Sequence, residues 1–210
     1  MGEDKKSCFL CAPDADLIYA QTADWFALCG LGPLLPGYSL VTTRQHIPSA
    51  ADAINVVTGF VNFAEQVRRA LAEQYGNCVL TEHGRVPVCF DPSGTSDPHC
   101  YHAHFLLFPG APDVSQAARR YFAVVQSFSD LQDALEGAAP HKDYFLVSPN
   151  SKEVHVMARP GRIIRQFARM LVADAIGEGK RANWRKFPER DRCVTSASGL
   201  RKLFDRGTAA

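Results

Sequence analysis

Apolar residues recur along this chain in two rhythms, and the switches between them mark its elements. Leu17-Ile-Tyr-Ala20, Asp24-Trp-Phe-Ala-Leu-Cys29 and Tyr38-Ser-Leu-Val-Thr-Thr43 are short runs rich in aromatic and β-branched residues, with Pro33 to Gly37 punctuating the last two. They predict three strands of an antiparallel meander. From Ser49 the rhythm becomes helical. Ser49 with Asp52 forms a capping signal, and Ile54, Val57, Val61, Ala64 and Leu71 then share one face until Gly76. One helix is expected there, its stripe in the core and Arg68-Arg69 on the solvated side. Cys78-Val-Leu-Thr-Glu82 reads as a further strand, residues 83 to 98 as a loop rich in Pro, Gly, Ser and Asp, and the run to Pro109 as another strand.

Beyond Pro109, strands are expected at Tyr121 to Gln126, Asp143 to Ser148 and Val154 to Met157, with a short helix from Asp130 to Glu136. A last amphipathic helix runs from Ile163 to Ile176 and stops at Gly177. The tail from Arg190 has too few apolar residues to predict an ordered element. The mixture of antiparallel strands and separate helices is an α+β pattern.

At 210 residues and 46% hydrophobic content, the chain has enough apolar material for one well-packed core plus an extension. Its formal net charge of +1 argues against broad electrostatic binding to nucleic acid or to an anionic membrane, while leaving room for a local phosphate pocket. No apolar run reaches the ~18 residues of a membrane span, and no apolar signal segment follows Met1-Gly-Glu-Asp-Lys-Lys. A cytoplasmic protein is expected. Seven cysteines cannot all pair within the chain, so a reducing compartment with mostly free thiols is the simpler reading. Cys29, Cys78, Cys89 and Cys193 read as small buried residues or free surface thiols. Cys8 and Cys11 differ, because Cys-x-x-Cys spacing lets two thiolates reach one metal from a tight turn.

The chemistry concentrates in His99-Cys-Tyr-His102-Ala-His104-Phe-Leu106-Leu-Phe-Pro109. Side chains two apart on a strand point the same way, so His102, His104, Leu106 and Phe108 form one row. Two neighbouring imidazoles at a sheet surface can bind a metal, attack phosphorus or serve as buried polar groups. Ahead of them, Ser93-Gly94-Thr95-Ser96 combines small residues, hydroxyls and backbone donors, which suits a phosphate cradle or a plain connection. Gln166 and Arg169 lie on one face of the last helix, and arginine fits bidentate phosphate contact. A surface polar pair would look the same.

Taken in order, Cys8-Phe-Leu-Cys11, the run from Phe26 through Pro36-Gly37-Tyr38 to Val41 with His46 five residues later, Glu82-His83-Gly84 and the His-Ala-His strand resemble the histidine triad superfamily of nucleotide hydrolases and transferases. The likeness is to bacterial members with Glu-His-Gly ahead of His-Ala-His and a longer C-terminal extension. It covers roughly residues 8 to 112, and Gln166-Phe-Ala-Arg169 and Trp184-Arg185 also look like those relatives.

The resemblance implies a triad-like antiparallel sheet of about five strands with a packed helix as a core domain over 1–112, an α+β extension over 113–210 packed on it, and a homodimer. It implies a structural zinc ion on Cys8, Cys11, His46 and His102, with His99 competing for the last position. His104 becomes the nucleophile at the α-phosphorus of a nucleoside phosphate, forming a nucleotidyl-histidine, with its ring held by the backbone carbonyl of His102. Ser93, Gly94, Thr95, Ser96, His99, Gln166 and Arg169 are the candidate substrate contacts.

Departures from the pattern bear on activity. The third triad histidine is Leu106, which can neither donate a hydrogen bond nor carry charge. Gly30 and Tyr38 stand where many hydrolases of the family carry an asparagine and a histidine. His99, His83, Gln166 and Arg169 are the candidates to replace the lost donor. A degenerate, zinc-containing nucleotide-binding protein is therefore the alternative reading, while processing of nucleic acid is disfavoured by the near-neutral charge.

Overall fold

The computed structural model describes residues 8–85, 101–160 and 163–207. Its strands are β1 (Ile18–Gln21), β2 (Trp25–Cys29), β3 (Ser39–Thr43), β4 (Cys78–Gly84), β5 (His104–Pro109), β6 (Phe122–Phe128), β7 (Tyr144–Asn150) and β8 (Glu153–Pro160). The helices are α1 (Ala50–Ala53), α2 (Phe60–Tyr75), α3 (Ser115–Arg119), α4 (Leu131–Ala138), α5 (Phe167–Ala175) and α6 (Arg190–Gly207). This is the expected α+β class, but the sheet has eight strands rather than about five, in the order β1-β2-β3-β5-β4-β7-β8-β6. The extra strands join because β7 pairs antiparallel with β4 from Leu80 to Gly84, on the side of β4 away from β5.

Register sorts the side chains into two layers. Ala27, Val41, Phe105, Leu107 and Leu80 lie on one face with Glu82 and Tyr144. There α2 is seated, with Phe60 stacked on Phe105 at 5.2 Å and Phe63 against Trp25 at 5.9 Å. Thr42, Leu40, His104, Leu106, Thr81, His83 and Phe145 share the other face, where Phe167 of α5 meets the rings of His83 and Phe145. Both faces being covered explains why β3 and β7 are almost wholly buried, without alternation between a buried and an exposed face.

Three expectations need correction. The single helix foreseen from Ser49 to Gly76 is two. Ile54-Asn-Val-Val-Thr58 is a poor helical stretch, rich in β-branched residues, and Gly59 with φ of 83° makes the N-cap of α2. Arg68 is not solvated but 3% exposed. Its guanidinium donates to the Cys78 carbonyl at 2.8 Å and to the hydroxyl and carbonyl of Ser148 at 2.9 and 3.0 Å, tying α2 to β4 and β7. The tail from Arg190 is the ordered helix α6. Cys193, Ala197 and Leu200 make a narrow buried stripe, Phe204 packs on Tyr19 at 5.3 Å, and Arg190 bridges to Asp14 and Asp16.

The Glu82-His83-Gly84 segment is an architectural joint. Glu82 accepts from the Ala50 N–H and from the Tyr144 hydroxyl, both at 2.6 Å, and that hydroxyl in turn accepts from the Ala51 N–H. Two free amides at the start of α1 are thus capped from across the sheet. A Cβ on Gly84 would fall 2.1 Å from the Tyr144 ring, so only glycine leaves room for this tyrosine.

Burial pushes the Glu82 carboxyl up to about 7, against the lowering effect of its two donors. The native state therefore keeps a proton that the unfolded chain releases near 4.5, so this group's contribution to stability is present below about 4.5 and is lost as the pH rises through about 7. The loss amounts to roughly 3 kcal/mol at most. Urea titrations of wild type and Glu82→Gln from pH 5 to pH 8 should show the wild-type decline flattened in the variant. Parallel curves for the two proteins would assign the decline to another group.

Candidate functional site

The site begins at the strand-like lead into β5. His102 is buried and His104 half-buried, and their side chains have separate partners. The Nε2–H of His102 donates to the Thr43 carbonyl at 2.8 Å, leaving the Nδ1 lone pair aimed at sulfur. That Nδ1 lies 3.3 Å from Cys8 Sγ and 3.6 Å from Cys11 Sγ. Cys11 Sγ is also 3.1 Å from His46 Nδ1. A tight turn, closed by the Cys11 N–H on the Cys8 carbonyl at 3.1 Å, presents the two sulfurs together.

The donor atoms of Cys8, Cys11, His46 and His102 all lie within 4.8 Å of one another, so this cluster can hold a metal ion. Tetrahedral coordination at the usual metal–sulfur and metal–nitrogen lengths places ligand atoms about 3.3–3.8 Å apart, near the three close approaches seen here. The Thr43 carbonyl behind His102 is the kind of outer partner that fixes a ligating imidazole's tautomer. A main-chain acceptor carries no residue signature, which is why nothing in the sequence pointed to Thr43.

His104 turns back on its own strand. Its Nδ1–H donates to the His102 carbonyl at 2.6 Å, which puts the ring's lone pair on Nε2. The strand is held in place beside it: Thr42, its register partner on β3, donates its hydroxyl to the Ala103 carbonyl at 2.8 Å, and the Ala103 N–H donates to Ile47 at 2.6 Å. Leu106 sits two residues on, half-buried between Leu40 of β3 and Thr81 of β4. The Thr81 hydroxyl is buried and has no hydrogen-bond partner among the described residues.

The other candidates are placed as follows. Ser93, Gly94, Thr95, Ser96 and His99 lie outside the described residues, as does Cys89. The Nε2 of His83 accepts from the Ala168 N–H at 3.3 Å, and its ring packs edge-on against Phe145, so this histidine joins β4 to α5. Gln166 is the left-handed residue that caps α5. Its side chain donates to Asn183 and accepts from the Trp184 N–H.

Arg169 is 3% exposed. It donates to the carbonyls of Ala182 at 2.8 Å, Gly32 at 2.6 Å and Arg181 at 3.2 Å. Both side chains fasten the 179–188 segment, and Arg169 also grips the loop after β2, while its remaining nitrogen, Nη1, is buried without a hydrogen-bond partner among the described residues.

The same fastening explains Gly30 and Tyr38. A Cβ on Gly30 would lie 2.2 Å from the Tyr38 ring, and that ring stacks on Phe108 at 4.9 Å beneath the Arg169 guanidinium at 5.0 Å. The tyrosine occupies the room that a side chain at position 30 would need, so the two departures form one packing unit.

Neither a protein-family model nor a curated protein matches the chain. Solved structures similar to part of it include a Hit-like protein involved in cell-cycle regulation from Bartonella henselae, 16% identical over 48% of this chain and 72% of that one, with a TM-score of 0.36. A HIT family hydrolase from Clostridium thermocellum is 18% identical over 50% of this chain and 91% of that one, with a TM-score of 0.36. Yeast Ap4A phosphorylase in complex with AMP is 15% identical over 73% of this chain and 64% of that one, with a TM-score of 0.44.

Replacing Arg169 by lysine leaves three carbonyls served by one ammonium, without the planar fork that now reaches them. Arg169→Lys should cost about 1–3 kcal/mol, read as a lower urea midpoint. A variant as stable as wild type but impaired in ligand binding would return Arg169 to the substrate side.

Proposed function

We propose that this chain is a histidine triad enzyme, a nucleoside-phosphate hydrolase or nucleotidyl transferase that works through a nucleotidyl-histidine on His104. The observation carrying this reading is the 2.6 Å hydrogen bond from His104 Nδ1 to the His102 carbonyl. A neutral imidazole is a nucleophile only at the nitrogen that lacks a proton, and this bond assigns that role to Nε2. In the first step Nε2 forms a bond to the α-phosphorus while the bond to the leaving group breaks. The positive charge that develops on the ring is spread toward the His102 carbonyl, as a carboxylate does for histidine in serine triads. Water or another acceptor then attacks the phosphorus, the N–P bond breaks, and the imidazole is restored.

Leu106 gives the transferring phosphoryl group no donor. Loss of one such donor typically lowers rates about 10²–10³-fold, so turnover is slow unless other groups stand in. Ser93, Gly94, Thr95, Ser96 and His99 are the proposed phosphate contacts, their hydroxyls and backbone N–H groups supplying the charge stabilisation on which phosphoryl transfer depends. Leu106 also favours a second reading, a nucleotide-binding protein without useful catalysis.

In this proposal Cys8, Cys11, His46 and His102 hold a structural zinc ion, the cation suited to two thiolates and two imidazoles with no open position. Bound there, it fastens the segment around Cys8 and Cys11 to the catalytic strand, and its binding energy adds to folding. Protein purified without added metal should contain about one equivalent of zinc per chain. Cys11→Ser should lose it and melt at least about 5 °C lower. Metal-free protein of equal stability, with both thiols freely reactive, would remove zinc from the account.

For the enzyme reading, His104→Ala should abolish turnover of dinucleoside polyphosphates or nucleoside phosphoramidates while leaving nucleotide affinity within about tenfold. Intact mass of the wild type, quenched during turnover, should show a nucleotidyl adduct that the variant lacks. Wild type that binds nucleotides across a broad panel without turnover or adduct would promote the binding-protein reading instead.

A further inference from the structure

Well away from β5 in the strand order, β8 carries a buried histidine, His155, with a serine hydroxyl beside it. Ser127 of β6 is its cross-strand partner. The Ser127 hydroxyl donates to His155 Nδ1 at 2.9 Å, and the far nitrogen of the ring meets a Glu153 oxygen at 3.1 Å. Nδ1 also lies 3.3 Å from the Nη2 of Arg119, the last residue of α3. A guanidinium can only donate. With two donors converging on Nδ1, that nitrogen carries the lone pair, and the ring proton sits on Nε2, where it donates to Glu153. A hydroxyl, an imidazole base and a carboxylate behind the base are the parts of an activated serine nucleophile.

Burial divides the labour among them. His155 is 2% exposed, whereas Ser127 is exposed, so the nucleophile is reachable from solvent while its base is shielded. Burial and the Arg119 charge hold the His155 imidazole below its ordinary pKa, against the opposing charges of Glu153 and Asp113. The ring is therefore a neutral base at neutral pH. Arg119 supplies positive charge where an oxyanion would form: its Nη2 shares Nδ1 with the Ser127 hydroxyl, and its buried Nε has no hydrogen-bond partner among the described residues. Val125 lies two residues before Ser127 in the same row, opposite buried Met157, and is itself 36% exposed. It gives a short acyl chain an apolar shoulder beside the nucleophile.

We propose that Ser127, His155 and Glu153 form a second reactive centre, which hydrolyses carboxylic esters with short acyl chains, independently of the chemistry proposed for His104. As Ser127 Oγ bonds to the ester carbonyl carbon, its proton passes to His155 Nδ1 and the carbonyl oxygen takes up negative charge beside Arg119. The bond to the alcohol oxygen then breaks, and the alcohol leaves with the proton from Nδ1. Water repeats the sequence on the acyl-serine. Its proton goes to Nδ1, its oxygen bonds to the carbonyl carbon, the bond to Oγ breaks, and Oγ takes the proton back as the carboxylic acid departs. Glu153 is a positioning residue, holding the ring without meeting the ester.

The full chain treated with an alkyl fluorophosphonate, which joins serine to phosphorus as fluoride leaves, should gain an adduct that peptide mapping places on Ser127. Ser127→Ala should lack it and should hydrolyse p-nitrophenyl acetate about tenfold or more slowly. His155→Gln keeps a side chain that can bond to both neighbours but takes no proton, and should slow labelling about 10²-fold or more. The labelling rate should rise with pH as His155 sheds its proton. Glu153→Gln should move the midpoint of that rise to lower pH, because the carboxylate favours the imidazolium; an unmoved midpoint would overturn the part assigned to Glu153.

No adduct on Ser127, a Ser127→Ala variant as active on the ester as wild type, or labelling indifferent to His155→Gln would each overturn the proposal. An adduct on His104 in place of Ser127 would also overturn it, while leaving the reading of His104 intact.

Discussion

His102 uses its side chain and its main chain on different tasks, and both halves of the site depend on that division. Its imidazole is clamped between the Thr43 carbonyl and the sulfurs of Cys8 and Cys11, while its carbonyl oxygen orients His104. The cysteine cluster and the His104 ring are thus linked through one residue, because the ring that meets the sulfurs and the carbonyl that orients His104 both belong to His102. Hydrogen bonds of this length are strongly directional, so the His102 carbonyl sets the orientation of the His104 ring.

Much of this was legible in the sequence because it rests on short-range periodicity and turn chemistry. The meander of β1 to β3, the Gly76 stop of α2 and the strand carrying His104 follow from alternation, from Pro33 to Gly37 and from the row of histidines. The cysteine pair was legible by spacing, and the structure brings Cys8, Cys11, His46 and His102 together within metal-binding distance. What was not legible depends on which polar groups the fold buries. Arg68 and Arg169 read as surface or ligand-binding arginines, because sequence shows their charge but not the carbonyls that await them. Helix α6 escaped notice because its contact stripe consists of Cys193, Ala197 and Leu200, too small and sparse for periodicity to register. The eight-stranded extent was hidden because whether β7 joins β4 or forms a separate layer is a matter of register, which alternation within each strand does not encode.

The departures from the histidine triad pattern are of two physical kinds. Gly30 and Tyr38 compensate each other sterically, and with Phe108 and Arg169 they fill a region with stacked rings and a guanidinium. Leu106 has no such counterpart. Its cross-strand neighbour Thr81 has a hydroxyl without a partner among the described residues, and leucine cannot supply one. A buried polar group left in this condition is costly, so the position beside His104 is under a different constraint from the rest of the sheet, one that tight packing does not explain.

The strand order has a consequence for how the molecule assembles. β5 lies between β3 and β4, yet both neighbours precede it in the chain, so during synthesis two hydrogen-bonding edges must wait for a third segment to slot between them. Contacts of that kind are slow to form, because the intervening loop has to be closed before any ladder repays its entropy. Cys8 and His102 meet across 94 positions, and that meeting is possible only after the insertion. Convergence of the four residues thus depends on topology: a chain in which β3 and β4 had paired directly would have Cys8, Cys11, His46 and His102 and no place where they meet.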